Sequence, residues 1–399
     1  MTPQIKQRIE QIQRGEVPEG YKRTKAGVVP VEWEEVRIGD VLTQRKTLQC
    51  VSKDEPLLSF TIEEGVIDPA DKKSNKRDFL IKDISTKKFA LTEVGDIIYN
   101  PANLKFGAIH RNNLRRGVVS PIYGIFYGAQ NSIFMGHLLH NQRFIDYAKI
   151  YAEGTVEKLK TLSADTFKKL KITLPSLKEQ EKITKILSEQ DRLIALKEKL
   201  INEKSRQKKV LMKKFFTQPC ENIFSLAKIA TITMGQSPES SSYNEEYSGV
   251  PLIQGNADIT NRLPNPRMYT SEPTKMCNKN DILLSVRAPV GTVSKSNICA
   301  CIGRGMCAIN ANELTEYVYQ YLLYYEDKWG CIAQGSTFEA ISGNDIAKLS
   351  IPVYENYKKI QVVLSNADKE IELLVHRLDQ EKQKKKALMQ LLLTGIVRV

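Results

Sequence analysis

The spacing of apolar positions changes period several times along this chain, and the changes divide it. Residues 2–14 place apolar side chains at helical spacing until Gly15 and Pro18, which predicts one short amphipathic helix. Short apolar runs bounded by turn residues follow at 35–38, 57–62, 89–91 and 96–99 and read as strands. Three-to-four spacing returns over 132–152, predicting a helix, and again over 164–171 with Ser163 as candidate N-cap. Ile172-Thr-Leu-Pro175 closes this block as a strand stopped by proline. Residues 223–353 repeat the plan. KNDILLS at 279–285 answers VGDIIYN at 94–100, and 314–327 answers the helix before Ala152. QGST at 334–337 answers EGT at 153–155, and LSIP at 349–352 answers 170–175.

Each block is followed by a long stretch of heptad character. Residues 183–217 return as 360–394 without a gap, with eleven of 35 aligned pairs identical, so the chain carries an internal duplication. Leu187, Ile194 and Ile201 recur every seven positions, as do Leu364, Ile371 and Leu378. Ile183, Ile186, Leu193, Leu200, Ile360, Val363 and Leu374 widen the stripe. Such a seam predicts two helices packed side by side, each a rod of roughly 60 Å at ~1.5 Å per residue. The alternative is that each helix packs only on its own block. The expected fold is α+β: two similar mixed α/β domains joined by two long antiparallel coiled-coil helices, with internal pseudo-two-fold symmetry. The expected spans are a lead-in at 1–30, a first domain at 31–175, a helix at 176–217, a second domain at 218–353 and a helix at 354–399. The ends of the two blocks match while their middles diverge, as expected of modules that read different targets.

Composition narrows the class. A 399-residue chain with 41% hydrophobic and 26% charged residues has the balance of an ordinary folded protein. A net charge of +13 points to a polyanionic partner, nucleic acid being the commonest, against a merely basic surface. No apolar run approaches the ~20 residues of a membrane span, and the charged N-terminus lacks the apolar core of a signal peptide. Seven cysteines, Cys50, Cys220, Cys277, Cys299, Cys301, Cys307 and Cys331, show no C-x-x-C spacing; Cys299-Ala-Cys301, on an expected strand, reads as buried thiols rather than a metal site, and a reducing cytoplasm fits the set.

The usual signatures of DNA-modifying catalysis do not occur. The sequence has no G-x-x-x-x-G-K-[ST] loop for ATP phosphates and no G-x-G-x-x-G after a strand. Asn100-Pro-Ala-Asn103 superficially resembles the methyltransferase N-P-P-aromatic loop but lacks its second proline and the aromatic that would stack on a flipped base. His110, His137, His140 and His376 are too widely spread in sequence to suggest a metal site; helix packing suits His137 and His140. No catalytic constellation is expected.

These features together resemble the specificity subunit of type I restriction–modification systems. The lead-in GYKRTKAGVVP at 20–30, followed by Trp33 and Gly39-Asp40, carries the resemblance at the N-terminus. In the second block it is carried by GQSP at 235–238, Tyr243-Asn244, PLIQG at 251–255, DILLSVRAPVG at 281–291 and IGRG at 302–305; LLLTGIVRV ends the chain. The junction QPCEN at 218–222 departs from the G-F-x-x-x-W-type entry of many relatives, which leaves the length of the inter-domain link open. The resemblance implies a non-catalytic reader of double-stranded DNA, each domain contacting one half of a split sequence. It implies that the helices set the gap and dock two methyltransferase subunits, which carry S-adenosylmethionine and methylate adenine. Up to two motor-nuclease restriction subunits, with ATP and Mg, would join for cleavage in phage defence. No cofactor is expected in this chain. Two alternatives stay open: a recognition subunit of a bifunctional enzyme whose partner both cuts and methylates, and a coiled-coil scaffold with no DNA role.

Major-groove reading calls for Arg or Lys toward guanine and Asn or Gln toward adenine. In the first block the candidates are Asn103, Lys105, Arg111, Asn112, Arg115 and Arg116, then Lys158 and Lys160 after the Gly154-Thr155 turn. In the second they are Gln236, Ser237, Gln254, Asn256, Arg287, Arg304 and Thr337. Some, such as Arg115 and Arg116, would hold phosphates, which position without specifying. The basic runs KSRQKK at 204–209 and KQKKK at 382–386 read either as solvated faces or as surfaces toward DNA phosphates or partner subunits.

Overall fold

Asp96 and Asp281 make the same turn in two halves of the chain. Both carboxylates are buried, and each accepts the N–H three residues before it, from Glu93 at 2.9 Å and from Asn278 at 2.7 Å. The residue between is left-handed in both, Gly95 at φ 98° and Asn280 at φ 74°. These are the residue types that tolerate that region most readily. A strand follows each turn, Ile97–Tyr99 and Ile282–Ser285, and a hairpin partner returns at Ile109–Arg111 and Val293–Lys295. Matching hydrogen bonds close the hairpins: Asn112 N–H to Asp96 O at 2.7 Å, and Ser296 N–H to Asp281 O at 2.8 Å.

The computed structural model describes residues 2–25, 27–72, 87–128, 131–153, 160–329 and 340–399. They form two units, residues 1–196 with 378–399 and residues 197–377. In the first unit a four-stranded antiparallel sheet runs Ile109–Arg111, Ile97–Tyr99, Gly124–Tyr127, Thr43–Gln44. The second unit repeats that order with Val293–Lys295, Ile282–Ser285, Met306–Asn310 and Thr231–Met234. A two-stranded ladder accompanies each sheet, Glu34–Arg37 with Lys171–Leu174 and Ile223–Ser225 with Ser350–Pro352. Alternation along the central strands sends Ile98 and Leu283 to one face and their neighbours to the main core of each frame on the other. Ile97, Tyr99, Phe126, Phe134 and Phe167 fill the first, with Tyr99 stacked on Phe167 at 4.6 Å. Ile282, Leu284, Ile309, Tyr317 and Trp329 fill the second.

The interiors differ. Beside its frame the first unit has a three-stranded sheet, Gly117–Val119, Phe89–Thr92, Leu48–Gln49. The second has five strands there, including a parallel pair that sets Leu252 opposite Cys301.

Several expected elements are trimmed by local chemistry. The helix expected over 132–152 is two helices, Ser132–His140 and Gln142–Lys149. Asn141 separates them: its backbone is extended at ψ 138°, and its side chain caps the second helix through the Arg143 N–H at 2.9 Å. The strand expected at 35–38 ends at Arg37 because Ile38 opens a helical turn, its N–H bound to Leu170 O. Only Ser59–Thr61 of the 57–62 run is strand. Ser163 caps Ala164–Lys169 as expected, accepting the Thr166 N–H at 3.1 Å.

The long helices span Leu177–Phe216 and Tyr357–Leu392. In the first unit Ile183 and Leu187 share a core with Leu388 and Leu392, while Gln190 lies 2.8 Å from Glu381. In the second, Lys204 meets Glu370 at 2.6 Å and Lys208 meets Asp368 at 2.5 Å. The helices run antiparallel in both units. Covered positions recur at 187, 190, 194, 197, 201, 204, 208 and 211, and at 364, 367, 371, 374, 378, 381, 385 and 388, a three-four alternation. Leu187 and Leu364 are buried in the unit cores, whereas Ile194, Ile201, Ile371 and Leu378 are half-buried along the seam. The wider stripe holds in part: Ile183 and Ile360 are buried and Ile186 and Leu374 half-buried, whereas Leu193, Leu200 and Val363 face solvent. No described helix is long and apolar enough to cross a membrane.

Candidate nucleic-acid interface

Two glycines shape the richest concave surface of the second unit. A Cβ on Gly305 would lie 2.4 Å from the Gln254 carbonyl oxygen, and one on Gly303 would lie 3.0 Å from the Gln254 Cα. Only bare backbone lets the Arg304 turn rest against the end of strand Val250–Ile253. Ser237 fixes that turn by accepting the Arg304 N–H at 3.2 Å. Opposite it, Ser285 donates to the carbonyls of Arg287 at 2.9 Å and Pro289 at 2.8 Å, holding the loop that carries Arg287. Asn256 opens the one-turn helix Asn256–Asp258.

The result is a cavity of about 980 Å³ lined by Ser237, Gln254, Asn256, Arg287 and Arg304, together with Tyr243, Asp258, Arg267 and Ser285. Five residues singled out from sequence therefore meet in one place. Gln236 lies at its edge in sequence, exposed, with its backbone bound to Ile302 O at 2.9 Å and to the Thr274 hydroxyl. The walls set three arginines against one carboxylate, a basic concavity with amide groups on its rim. Sequence reasoning passed over Arg267, which lies in no recognisable motif. Thr337 and Lys158 fall outside the described residues.

The first-unit candidates are arranged differently. Asn103 precedes the turn Leu104–Phe106, and the Lys105 ammonium lies 5.2 Å from the ring centre of exposed Phe106. Lys160 is half-buried beside the Glu153–Thr161 bridge. Arg111 donates to Ser132 Oγ at 3.1 Å and to Asn113. Arg115 meets Asp68 at 2.5 Å, and Arg116 meets Glu55 at 2.9 Å and Glu93 at 3.0 Å. Asn112 corrects the expectation outright. It is 0% exposed, donates to Thr92 Oγ1 and Arg115 O, and accepts the Leu114 N–H, so it builds the turn and reaches no groove. The basic runs are corrected in part. Lys204, Lys208 and Lys385 occupy seam positions and pair with Glu370 at 2.6 Å and with Asp368 and Asp191, each at 2.5 Å, instead of facing outward with Lys209 and Lys386. Burial lowers the Lys208 pKa, opposed by Asp368.

Three of the four histidines, distant in sequence, line a second cavity of about 510 Å³ with Glu63, Glu64, Asp191 and Lys385. The His110 and His140 rings lie 4.3 Å apart, tilted by 39°, and each bonds a backbone carbonyl, Ile62 O and Ile109 O. His137 Nε2 lies 3.8 Å from Asp191. Burial pushes His110 and His137 down to about 4, with Lys385 adding to the effect at His137, and burial lowers His140 as well. Neutral imidazoles at neutral pH follow. Among the described residues no group of three or more His, Cys, Asp or Glu side chains is placed to hold a metal ion.

A family model for the type I restriction modification DNA specificity domain matches residues 126–204 and 221–383. A Methanocaldococcus jannaschii protein named as a type I restriction enzyme MjaX specificity subunit is 32% identical, over 96% of this chain and 97% of its own length. A solved structure described under complex assembly and conformational transition of the type I R-M system shares the fold. Its TM-score is 0.59 at 22% identity, over 92% of this chain and 99% of that one. So does the type I restriction-modification S subunit from M. genitalium, with a TM-score of 0.54 at 16% identity, over 91% and 96%. Two matching sheet frames, two long helices and a match spanning nearly the whole chain place it in the family of type I restriction–modification DNA specificity subunits.

Proposed function

We propose that this chain is the non-catalytic reader of a split double-stranded DNA target, with one half contacted by residues 31–175 and the other by residues 218–353. The observation that carries this reading is one sheet frame built twice around different interiors, a design that holds two reading surfaces on equivalent scaffolds. In the second domain Gln236, Ser237, Gln254, Asn256, Arg287 and Arg304 contact DNA, the amides toward base edges and the arginines, which no side-chain carboxylate holds among the described residues, toward phosphate. The helices at 176–217 and 354–399 set the unread gap and dock two methyltransferase subunits. Solvent-facing Leu193, Leu196, Leu200, Val362, Leu373 and Val375 support a docking role, because isolated helix faces seldom carry so much exposed apolar surface. The methyltransferase subunits bring S-adenosylmethionine and methylate adenine. Up to two motor-nuclease subunits add ATP- and Mg-dependent cleavage, all in the cytoplasm. Deleting this chain from its host and sequencing the methylated adenines tests the reading. One split motif should vanish; persistence of every methylated adenine would overturn it.

A further inference from the structure

Arg267 and Asp258 stand nine residues apart, and a tight hairpin brings them together. Strands Ile259–Thr260 and Leu263–Pro264 pair across Asn261 and Arg262, both at positive φ, and fold the chain back on itself. Asp258 is buried, and its two oxygens have separate duties. One accepts the Gln254 N–H at 2.9 Å, fixing the strand end under the Arg304 turn; the other accepts Arg267 Nε, also at 2.9 Å. The Arg267 side chain is 66% exposed, against 4% for Asp258. The pair anchors one end of an exposed guanidinium on a buried acceptor, so it orients the arginine as well as holding the hairpin.

Its geometric consequence is specific. With Nε tied to a buried carboxylate, the guanidinium plane is set, and its end-on edge, with one N–H from each terminal nitrogen, is left for another acceptor. Among the described residues those groups make no hydrogen bond. A planar two-donor fork held open over a basic cavity matches guanine O6 and N7 in the major groove. Arg287 and Arg304 line the same cavity, and among the described residues no side-chain carboxylate orients either of them. Free-swinging arginines suit phosphate, which accepts a charge from many directions. We infer that Arg267 is the guanine-reading residue of the second domain, with Asp258 as its positioning residue; this rests on the DNA-reading function proposed above.

Methylome sequencing of hosts carrying the full chain as wild type, Arg267→Ala, Arg267→Lys or Asp258→Asn tests the assignment. Both Arg267 variants should relax one guanine position in one half of the motif. Discrimination there should fall roughly tenfold to a hundredfold, with the other half unchanged. Lysine should not rescue, because it keeps the charge and lacks the fork. Asp258→Asn should relax the same position by less. An unchanged motif in both Arg267 variants overturns the inference. So does any uniform loss of methylation across all sites that lysine restores, which marks a phosphate contact, or that lysine shares, which marks a structural role. Failure of the underlying reading shows separately, as a wild-type chain whose deletion removes no motif.

Discussion

Arg45 grips the turn aspartate of the first unit, with Nε at 2.8 Å from Asp96 and a second nitrogen at 3.0 Å. In the second unit the counterpart, Asp281, receives a neutral partner, Asn310, at 2.5 Å. The backbone hydrogen bonds around both turns are the same. The turn therefore needs an acceptor at this place, while the charge is a local choice of each unit. Replacing each aspartate by asparagine separates the two contributions. Asp96→Asn leaves a mostly covered guanidinium with Glu93, at 3.3 Å, as its one remaining carboxylate among the described residues, beside the Tyr127 ring at 4.6 Å, and should cost the first unit about 3 kcal/mol. Asp281→Asn removes no buried ion pair and should cost the second unit about 1 kcal/mol. Hydrogen exchange resolved by unit, combined with urea titration, is the right measurement, since a two-unit chain does not unfold as one transition. Equal losses would show that charge does the same work in both turns.

The seam offers a second contrast. Asp191 meets Lys385 and faces His137, whereas Asp368 meets Lys208 and accepts from Gln320 at 2.7 Å. Gln320 thus occupies the role that His137 fills in the first unit. Folding holds His110 and His137 near 4, below the ordinary 6.5. Between those values the unfolded chain binds more protons than the folded one, so stability rises with pH across that window and falls on acidification. Glu316 in the second unit is also held below its ordinary 4.5 despite burial, through Lys295 and Ser365, so its contribution is lost only at lower pH. The first unit should accordingly soften between pH 6.5 and 4, ahead of the second. His137→Gln should reduce the drop in its urea midpoint from pH 7 to pH 5. A drop equal to wild type would sink the assignment to His137.

How much of this was legible in the sequence depended on whether the signal was local. The repeated aspartate turn, the Ser163 cap and the heptad residues carry their meaning within a few positions, and the frame followed from them. Asn141 breaks a periodic apolar stretch through one extended backbone torsion, which no periodicity reports. Asn112 sits among arginines and asparagines that look like base readers, and only the fold shows Thr92 waiting across the hairpin. Lys208 could have been read better: it stands seven residues after Ile201, on the seam, where covered positions recur. Arg267 acquires its meaning from Asp258, through a hairpin whose turn residues, Asn261 and Arg262, gave no strong sign.

The same repeated ion pair should also be worth different amounts in its two settings. Lys208 is 9% exposed at its side chain and Lys385 26%. Removing the acid leaves Lys208 covered and unpaired, so Asp368→Ala should cost the second unit roughly 2 kcal/mol. Asp191→Ala leaves Lys385 able to reach water and should cost the first unit less than about 1 kcal/mol. Unit-resolved hydrogen exchange would register the order; a reversed order would mean that burial of the lysine does not govern these pairs.

The smallest difference is the one closest to function. Arg116 is already committed to Glu55 and Glu93, and Arg115 to Asp68. Arg287 lines the second-unit cavity and makes no side-chain hydrogen bond among the described residues. To reach a phosphate Arg116 must first break two ion pairs, whereas Arg287 breaks none among the described residues. Arg287→Ala should therefore weaken DNA binding by the assembled complex on every sequence alike and flatten the salt dependence by about 0.9 in slope. Arg116→Ala should change the slope by much less. Fluorescence anisotropy from 50 to 200 mM salt, a range over which counterion release dominates, distinguishes the two. If the slopes fall together, the ion pairs of the first unit open on contact with DNA, and the two units bind phosphate by the same means.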